Sequence, residues 1–178
     1  MTSGGGEVLV IGYGNPGRLD DGLGPAAAER VEAARLDGVD VDADYQLTVE
    51  DAAAVAAHDV VVFADAAETG PEPFFFEAVE PNDDLGFSSH GCEPPAVMAL
   101  AGELFHAKTK GYILGIRGYE FDEFGEALSG RARANLAAAT EFLLEVLRNR
   151  SFDEAQRRWA DSQAAETKEE TPCKTENM

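Results

Sequence analysis

One stretch near the start of the chain decides its fold: Val8-Leu9-Val10-Ile11-Gly12-Tyr13-Gly14-Asn15-Pro16-Gly17-Arg18-Leu19-Asp20-Asp21-Gly22-Leu23-Gly24. It opens with an apolar run, continues with closely spaced glycines, and brings two adjacent carboxylates, Asp20 and Asp21, to the start of a helical pattern. The apolar run predicts a buried strand, and the glycines predict a tight turn after it. Pro25, which a helix tolerates only in its first turn, indicates where the helix begins.

The net charge of −20 limits the partners of this 178-residue chain. Between Arg35 and Lys108 there is no Lys or Arg, and the same stretch holds sixteen Asp and Glu residues. Such a surface repels nucleic acid and anionic membranes, so we expect neither as a partner. It would attract a cation or a basic partner, although an ordinary solvated acidic surface explains the same pattern.

The sequence has no feature of a membrane or secreted protein. No apolar run approaches the roughly 20 residues that span a bilayer. The residues before Val8 lack the basic and apolar regions of a secretion signal, so a cytoplasmic location is expected. Cys92 and Cys173 lie far apart in the sequence, and we expect no disulfide between them in a reducing compartment.

Strands and helices alternate along the chain, which indicates an α/β fold. We predict three layers, in which a mostly parallel, twisted sheet of about five strands has helices on both faces. The predicted strands are Val8–Tyr13, Val39–Leu47, Asp59–Asp65, Phe74–Val79 and Tyr112–Arg117, and the predicted helices are Pro25–Arg35, Glu50–Ala57, Pro95–Ala107 and Ser129–Arg150. The Phe74–Val79 strand follows its predecessor too closely for a crossover helix, so it is predicted to be antiparallel, at or near an edge. We expect residues 1–150 to form one domain and residues 151–178 a polar, partly disordered tail.

Three polar residues are predicted to meet at the carboxyl edge of the sheet, where parallel α/β sheets bind ligands. Asp21 follows the first strand, Asp65 ends the third, and His90 precedes the helix that leads into the last. Two carboxylates and an imidazole form a mixed oxygen and nitrogen ligand set that suits a divalent ion such as nickel, zinc, manganese or iron. Each residue also has an ordinary structural explanation, as a helix cap or a strand-end residue. Cys92 is a poor candidate nucleophile, because its acidic surroundings disfavour a thiolate.

Two familiar interpretations of the opening glycines fit poorly. Gly12, Gly14 and Gly17 have the spacing of a dinucleotide-binding loop, but Asp20 and Asp21 would face the phosphates with the wrong charge. The chain is therefore expected to bind no nucleotide. The segment Gly14–Gly17 resembles the opening of peptidyl-tRNA hydrolases, but no histidine follows it where that family places one, and a chain this acidic is a poor tRNA binder.

A third resemblance fits most of the chain, from Val8 to Leu147: the order of its motifs resembles the hydrogenase maturation endopeptidases. The similar segments are Ile11-Gly12-Tyr13-Gly14-Asn15 followed by Asp20-Asp21-Gly22-Leu23-Gly24, the strand that ends in Asp65-Ala66, Ser89-His90 followed by Leu100-Ala101-Gly102-Glu103-Leu104, Gly115-Ile116, and the closing helix from Ser129. The tail after Arg150 has no counterpart in this pattern.

The resemblance implies a peptidase that removes the C-terminal extension of a nickel–iron hydrogenase large-subunit precursor after nickel insertion. It implies that Asp21, Asp65 and His90 are the metal-binding and catalytic residues, and that the nickel arrives with the substrate. A water polarised by the metal, with a carboxylate as base, would attack the peptide bond, and the sequence leaves open which group activates that water. We expect a monomer. The alternative is a metal-binding or regulatory module on the same fold without proteolysis.

Overall fold

The computed structural model describes residues 7–82 and 92–169, and of residues 166–169 only the backbone. The strands are β1 (Val8–Tyr13), β2 (Val39–Asp44), β3 (Val60–Ala67), β4 (Phe74–Val79) and β5 (Lys110–Arg117). The helices are α1 (Leu23–Ala33), α2 (Asp51–Ala56), α3 (Pro94–Phe105), α4 (Gly130–Asn149) and α5 (Phe152–Glu169), and a 3₁₀ turn spans Leu19–Gly22. Among the described residues, no helix is both long and apolar enough to cross a membrane.

The five strands form one sheet in the order β2-β1-β3-β5-β4. β1, β2, β3 and β5 are parallel, and β4 pairs antiparallel with β5 at an edge. The predicted fold class and the predicted antiparallel edge strand are therefore confirmed. The physical reason is the short connection between Ala67 and Phe74, which leaves no room for a crossover.

Helices cover both faces of the sheet and explain why β1 and the first part of β3, from Val60 to Ala64, are apolar on both faces. On one face, Val8 and Val10 belong to a core that includes residues of α1, α4 and α5. On the other face, Leu9 and Ile11 belong to a core shared with α2 and α3. Successive residues of a strand point to opposite faces, so each face receives its own apolar set.

Residues 152–169 differ from the prediction, because they form helix α5 rather than a polar tail. Phe152 is 6% exposed and Ala155 is 1% exposed, and both belong to the core on the α1 and α4 side. The indole nitrogen of Trp159 donates a hydrogen bond of 3.3 Å to the carbonyl oxygen of Phe74 in β4. Three apolar residues spaced three and four apart are enough to dock an otherwise charged helix on the sheet. Residues 170–178, including Cys173, lie outside the described part of the chain.

Candidate functional site

The glycines after β1 allow the turn and the start of α1 to lie directly on the strand ends. Gly14 has φ +137°, and a Cβ atom there would lie 2.1 Å from the carbonyl oxygen of Asp21. A Cβ atom at Gly24 would lie 2.2 Å from the carbonyl oxygen of Tyr13 and 2.5 Å from that of Ala64. Any side chain would force these backbones apart. The glycines therefore serve close packing, and the packing places Asp21 above the carboxyl ends of β1 and β3.

The two adjacent carboxylates of the turn have different environments. Asp20 is fully buried and accepts hydrogen bonds from the backbone NH groups of Tyr119, Glu120 and Ser129, at 2.8, 3.0 and 2.7 Å. The Ser129 hydroxyl donates a fourth, at 2.8 Å. Burial acts to raise the pKa of Asp20, but these hydrogen bonds outweigh it and hold the pKa below its usual value. Asp20 thus ties the turn to the connection between β5 and α4.

Asp21 is partly exposed and is held from one side. The backbone NH of Asn15 donates to its Oδ2 at 3.0 Å. The side chain of Asn15 in turn accepts a hydrogen bond from the NH of Gly17 at 2.9 Å, which fixes the conformation of the loop. Of the two aspartates, Asp21 is the one whose carboxylate is oriented but still accessible to a ligand.

Asp65 lies one residue beyond the register pair Gly12–Ala64 of the parallel strands β1 and β3. Its Oδ1 accepts a hydrogen bond of 2.7 Å from the NH of Ala66. Burial is the largest influence on the Asp65 carboxyl, and its pKa rises to about 7. The Ala66 NH and the Tyr13 hydroxyl act to lower this pKa, whereas the negative charges of Asp21 and Glu93 raise it further. Asp21 and Glu93 therefore each lie within electrostatic reach of Asp65.

His90 lies outside the described residues, so its predicted place in the site stays a prediction. The described chain resumes two residues later, at the same edge of the sheet. The NH of Cys92 donates to the carbonyl oxygen of Leu47 at 3.2 Å, and Glu93 directly precedes Pro94, the first residue of α3, without a side-chain capping hydrogen bond. Within residues 7–82 and 92–169, no group of three His, Cys, Asp or Glu side chains could hold a metal ion.

The Cys92 thiol does not have the environment of a nucleophile. The side chain is partly buried, and within the described part of the chain it forms no disulfide. Burial raises the pKa of the thiol, and the nearby charges of Asp51 and Glu93 raise it further. A raised thiol pKa keeps the sulfur protonated, which agrees with the expectation from the sequence.

Two further residues act on the Asp65 carboxyl, the phenol of Tyr13 and the carboxylate of Glu93, and the sequence alone does not single them out. Tyr13 is the last residue of β1, and its hydroxyl oxygen is buried on the face that Asp65 occupies. Strand register could identify Tyr13, because its position lines up with Asp65 once β1 and β3 are paired. No pattern in the sequence identifies Glu93, since a glutamate directly before a helix occurs in many proteins.

Comparisons with known proteins show which family the chain is similar to. The chain is 30% identical over 152 residues to the hydrogenase expression/formation protein HupD of Thiocapsa roseopersicina, a match that covers 79% of this chain and 67% of HupD. The chain belongs to the hydrogenase maturation endopeptidase family. No model of a protein family matches the chain.

Solved structures from this family share the fold. The [NiFe] hydrogenase maturation protease HycI from Thermococcus kodakarensis KOD1 superposes with a TM-score of 0.65 at 24% identity, over 82% of this chain and 95% of HycI. The hydrogenase maturating endopeptidase HybD from E. coli superposes with a TM-score of 0.60 at 20% identity, over 80% of this chain and 93% of HybD. Helix α5 lies beyond Leu147, the last residue of the segment whose motifs resemble this family.

Proposed function

We propose that this chain is the endopeptidase that removes the C-terminal extension of a nickel–iron hydrogenase large-subunit precursor after nickel insertion. The observation that carries the proposal is the pair of carboxylates, Asp21 and the partly buried Asp65, at the carboxyl edge of the sheet in a member of this family. Parallel α/β sheets bind their ligands at this edge. The turn leaves Asp21 accessible, so a substrate can reach the pair from solvent.

The charges at this edge favour a cationic ligand. Asp65 is partly buried near two other carboxylates, which makes its ionised form costly without a cation. A divalent ion would compensate these charges, and two carboxylates with the imidazole of His90 suit nickel. We propose that Asp21, Asp65 and His90 complete the coordination of nickel that the substrate brings. The recognition of the substrate would then depend on its nickel.

In this proposal the protein's own residues position the substrate. Asp21 and Asp65 hold the nickel-bearing end of the precursor against the sheet edge, and the scissile peptide lies beside them. Nickel, when bound, supplies a Lewis acid that polarises the reacting groups. A carboxylate at this edge would serve as the base for the attacking water; the pKa of about 7 belongs to Asp65 in the metal-free protein, and nickel bound to this carboxylate would lower it.

The experiment that tests the proposal incubates the protein with a purified large-subunit precursor, with and without nickel, and measures the mass of the precursor's C-terminus. We expect a loss of mass that corresponds to the extension only with nickel. Cleavage without nickel would contradict the nickel-dependent recognition. An unchanged mass of the cognate precursor in both samples would contradict proteolysis and favour a binding module.

A pair of histidine variants tests the role of His90. His90→Asn should abolish cleavage, because the imidazole ligand is lost. His106→Asn is the matched control: His106 is exposed at the end of α3 with φ +56°, a conformation that asparagine tolerates. Full cleavage by His90→Asn, or equal loss in both variants, would argue against His90 as a ligand.

A cytoplasmic location and a monomeric state stay predictions, which cell fractionation and sedimentation would check.

A further inference from the structure

The hydroxyl group of Tyr13 is buried and has no hydrogen-bond partner among the described residues. Tyr13 ends β1, one residue after Gly12, and Asp65 comes one residue after Ala64, with which Gly12 is paired. Neighbouring residues on parallel strands point to the same face, so both side chains project toward α2 and α3. Burial raises the pKa of the Tyr13 hydroxyl, and the nearby Asp65 carboxyl raises it further, although the two groups do not reach standard hydrogen-bond geometry.

A buried hydroxyl without a partner destabilises a folded protein, because it loses its hydrogen bond to water. A phenylalanine at position 13 would fill the same space without that cost. On this face Tyr13 packs against an apolar core whose residues include Leu9, Ile11 and Phe63. Polar groups that lower stability without an evident structural gain occur at functional sites. The hydroxyl is thus placed for a state in which its acidic neighbour is ionised and accepts a hydrogen bond from it.

We propose that Tyr13 is a positioning residue, whose hydroxyl donates a hydrogen bond to the Asp65 carboxylate when the nickel-bearing substrate is bound. The inference rests on the proposed function, since it assumes that Asp65 is a ligand. The Ala66 NH already holds Oδ1 of Asp65. A second donor from the strand beside it would fix the rotation of the carboxylate and direct its remaining lone pairs toward the ion. Residues that orient a ligand in this way contribute to affinity without contacting the metal.

The test compares Tyr13→Phe with Tyr45→Phe. Tyr45 is 67% exposed and directly follows β2, at the same edge of the sheet, so Tyr45→Phe removes a hydroxyl near the site but away from Asp65. Three quantities are measured for each protein: kcat and KM for the nickel-loaded precursor, the Kd for Ni²⁺ of the metal-free protein by calorimetry, and the melting temperature.

For Tyr13→Phe we expect kcat to fall and the Kd for Ni²⁺ to rise by about 10- to 100-fold, the usual effect of losing such a partner. The melting temperature should stay the same or rise, and Tyr45→Phe should match the wild type throughout. Equal Ni²⁺ affinity in wild type and Tyr13→Phe, including no binding by either, overturns the inference, as does a lower melting temperature that accompanies the loss of kcat. A wild-type protein that fails to cleave the cognate precursor instead overturns the proposed function.

Discussion

Replacing Asp65 by asparagine should make the metal-free protein more stable at neutral pH while removing its activity. The carboxyl has a pKa of about 7 in the folded protein, against 3.8 as its ordinary value. The folded state therefore binds a proton that the unfolded state has released, and stability falls as pH rises between these two values. Over the whole range the cost is about 4 kcal/mol, and roughly 3 kcal/mol of it accrues between about pH 5 and pH 8. Asparagine is neutral throughout, and its oxygen can still accept from the Ala66 NH.

The assay is urea unfolding of both proteins in the presence of a chelator, at the two pH values. We expect the advantage of Asp65→Asn in the free energy of unfolding to grow by about 3 kcal/mol from acid to neutral pH. Asp42→Asn is the matched control, because Asp42 also accepts from the NH of the next residue, at 2.8 Å, but lies exposed on β2. A pH-independent difference for Asp65→Asn, or an equal gain in the control, would refute the reasoning.

Two further predictions concern residues that hold the site and the fold together. Asp20→Asn should destabilise the protein by about 3 kcal/mol at neutral pH, because an amide nitrogen would face backbone donors. Because the pKa of Asp20 is lowered in the folded protein, the difference should shrink as pH falls below the ordinary value of 3.8 and should be lost once pH passes below the folded pKa; urea unfolding at neutral pH and at a series of pH values below 3.8 measures it. Phe152→Ala should cost about 3 kcal/mol by urea unfolding, given its 6% exposure. A red shift of Trp159 fluorescence would report that α5 has left the sheet. An unchanged free energy of unfolding would contradict the observed docking.

The parts of the fold that local pattern determines could be predicted from the sequence. β1 and β4 have the predicted bounds because apolar residues and turn signals delimit both. The antiparallel direction of β4 followed from the length of one connection. The meeting of Asp21 with Asp65 followed from topology alone, because parallel strands bring their carboxyl ends to one edge.

The parts that depend on packing between distant segments could not be predicted. α5 has a low mean hydropathy, and although the spacing of Phe152, Ala155 and Trp159 fits one helix face, only their contacts in the structure show that this face packs on the sheet. The difference between Asp20 and Asp21 is likewise invisible in the sequence. It arises from backbone NH groups about 100 residues further along the chain.

Asp20, the glycines and Asp21 of the opening motif have complementary structural roles. Asp20 fixes the turn from the inside by accepting hydrogen bonds from the β5–α4 connection, and the glycines let the turn lie against the strand ends. With the turn fixed, the backbone of Asp21 is held near Asp65, although the two negative charges repel each other. The hydrogen bonds to Asp20 stabilise the turn against this repulsion. It follows that mutations at Asp20 should weaken the site through the turn, whereas mutations at Asp21 and Asp65 should relieve repulsion and remove the ligands themselves.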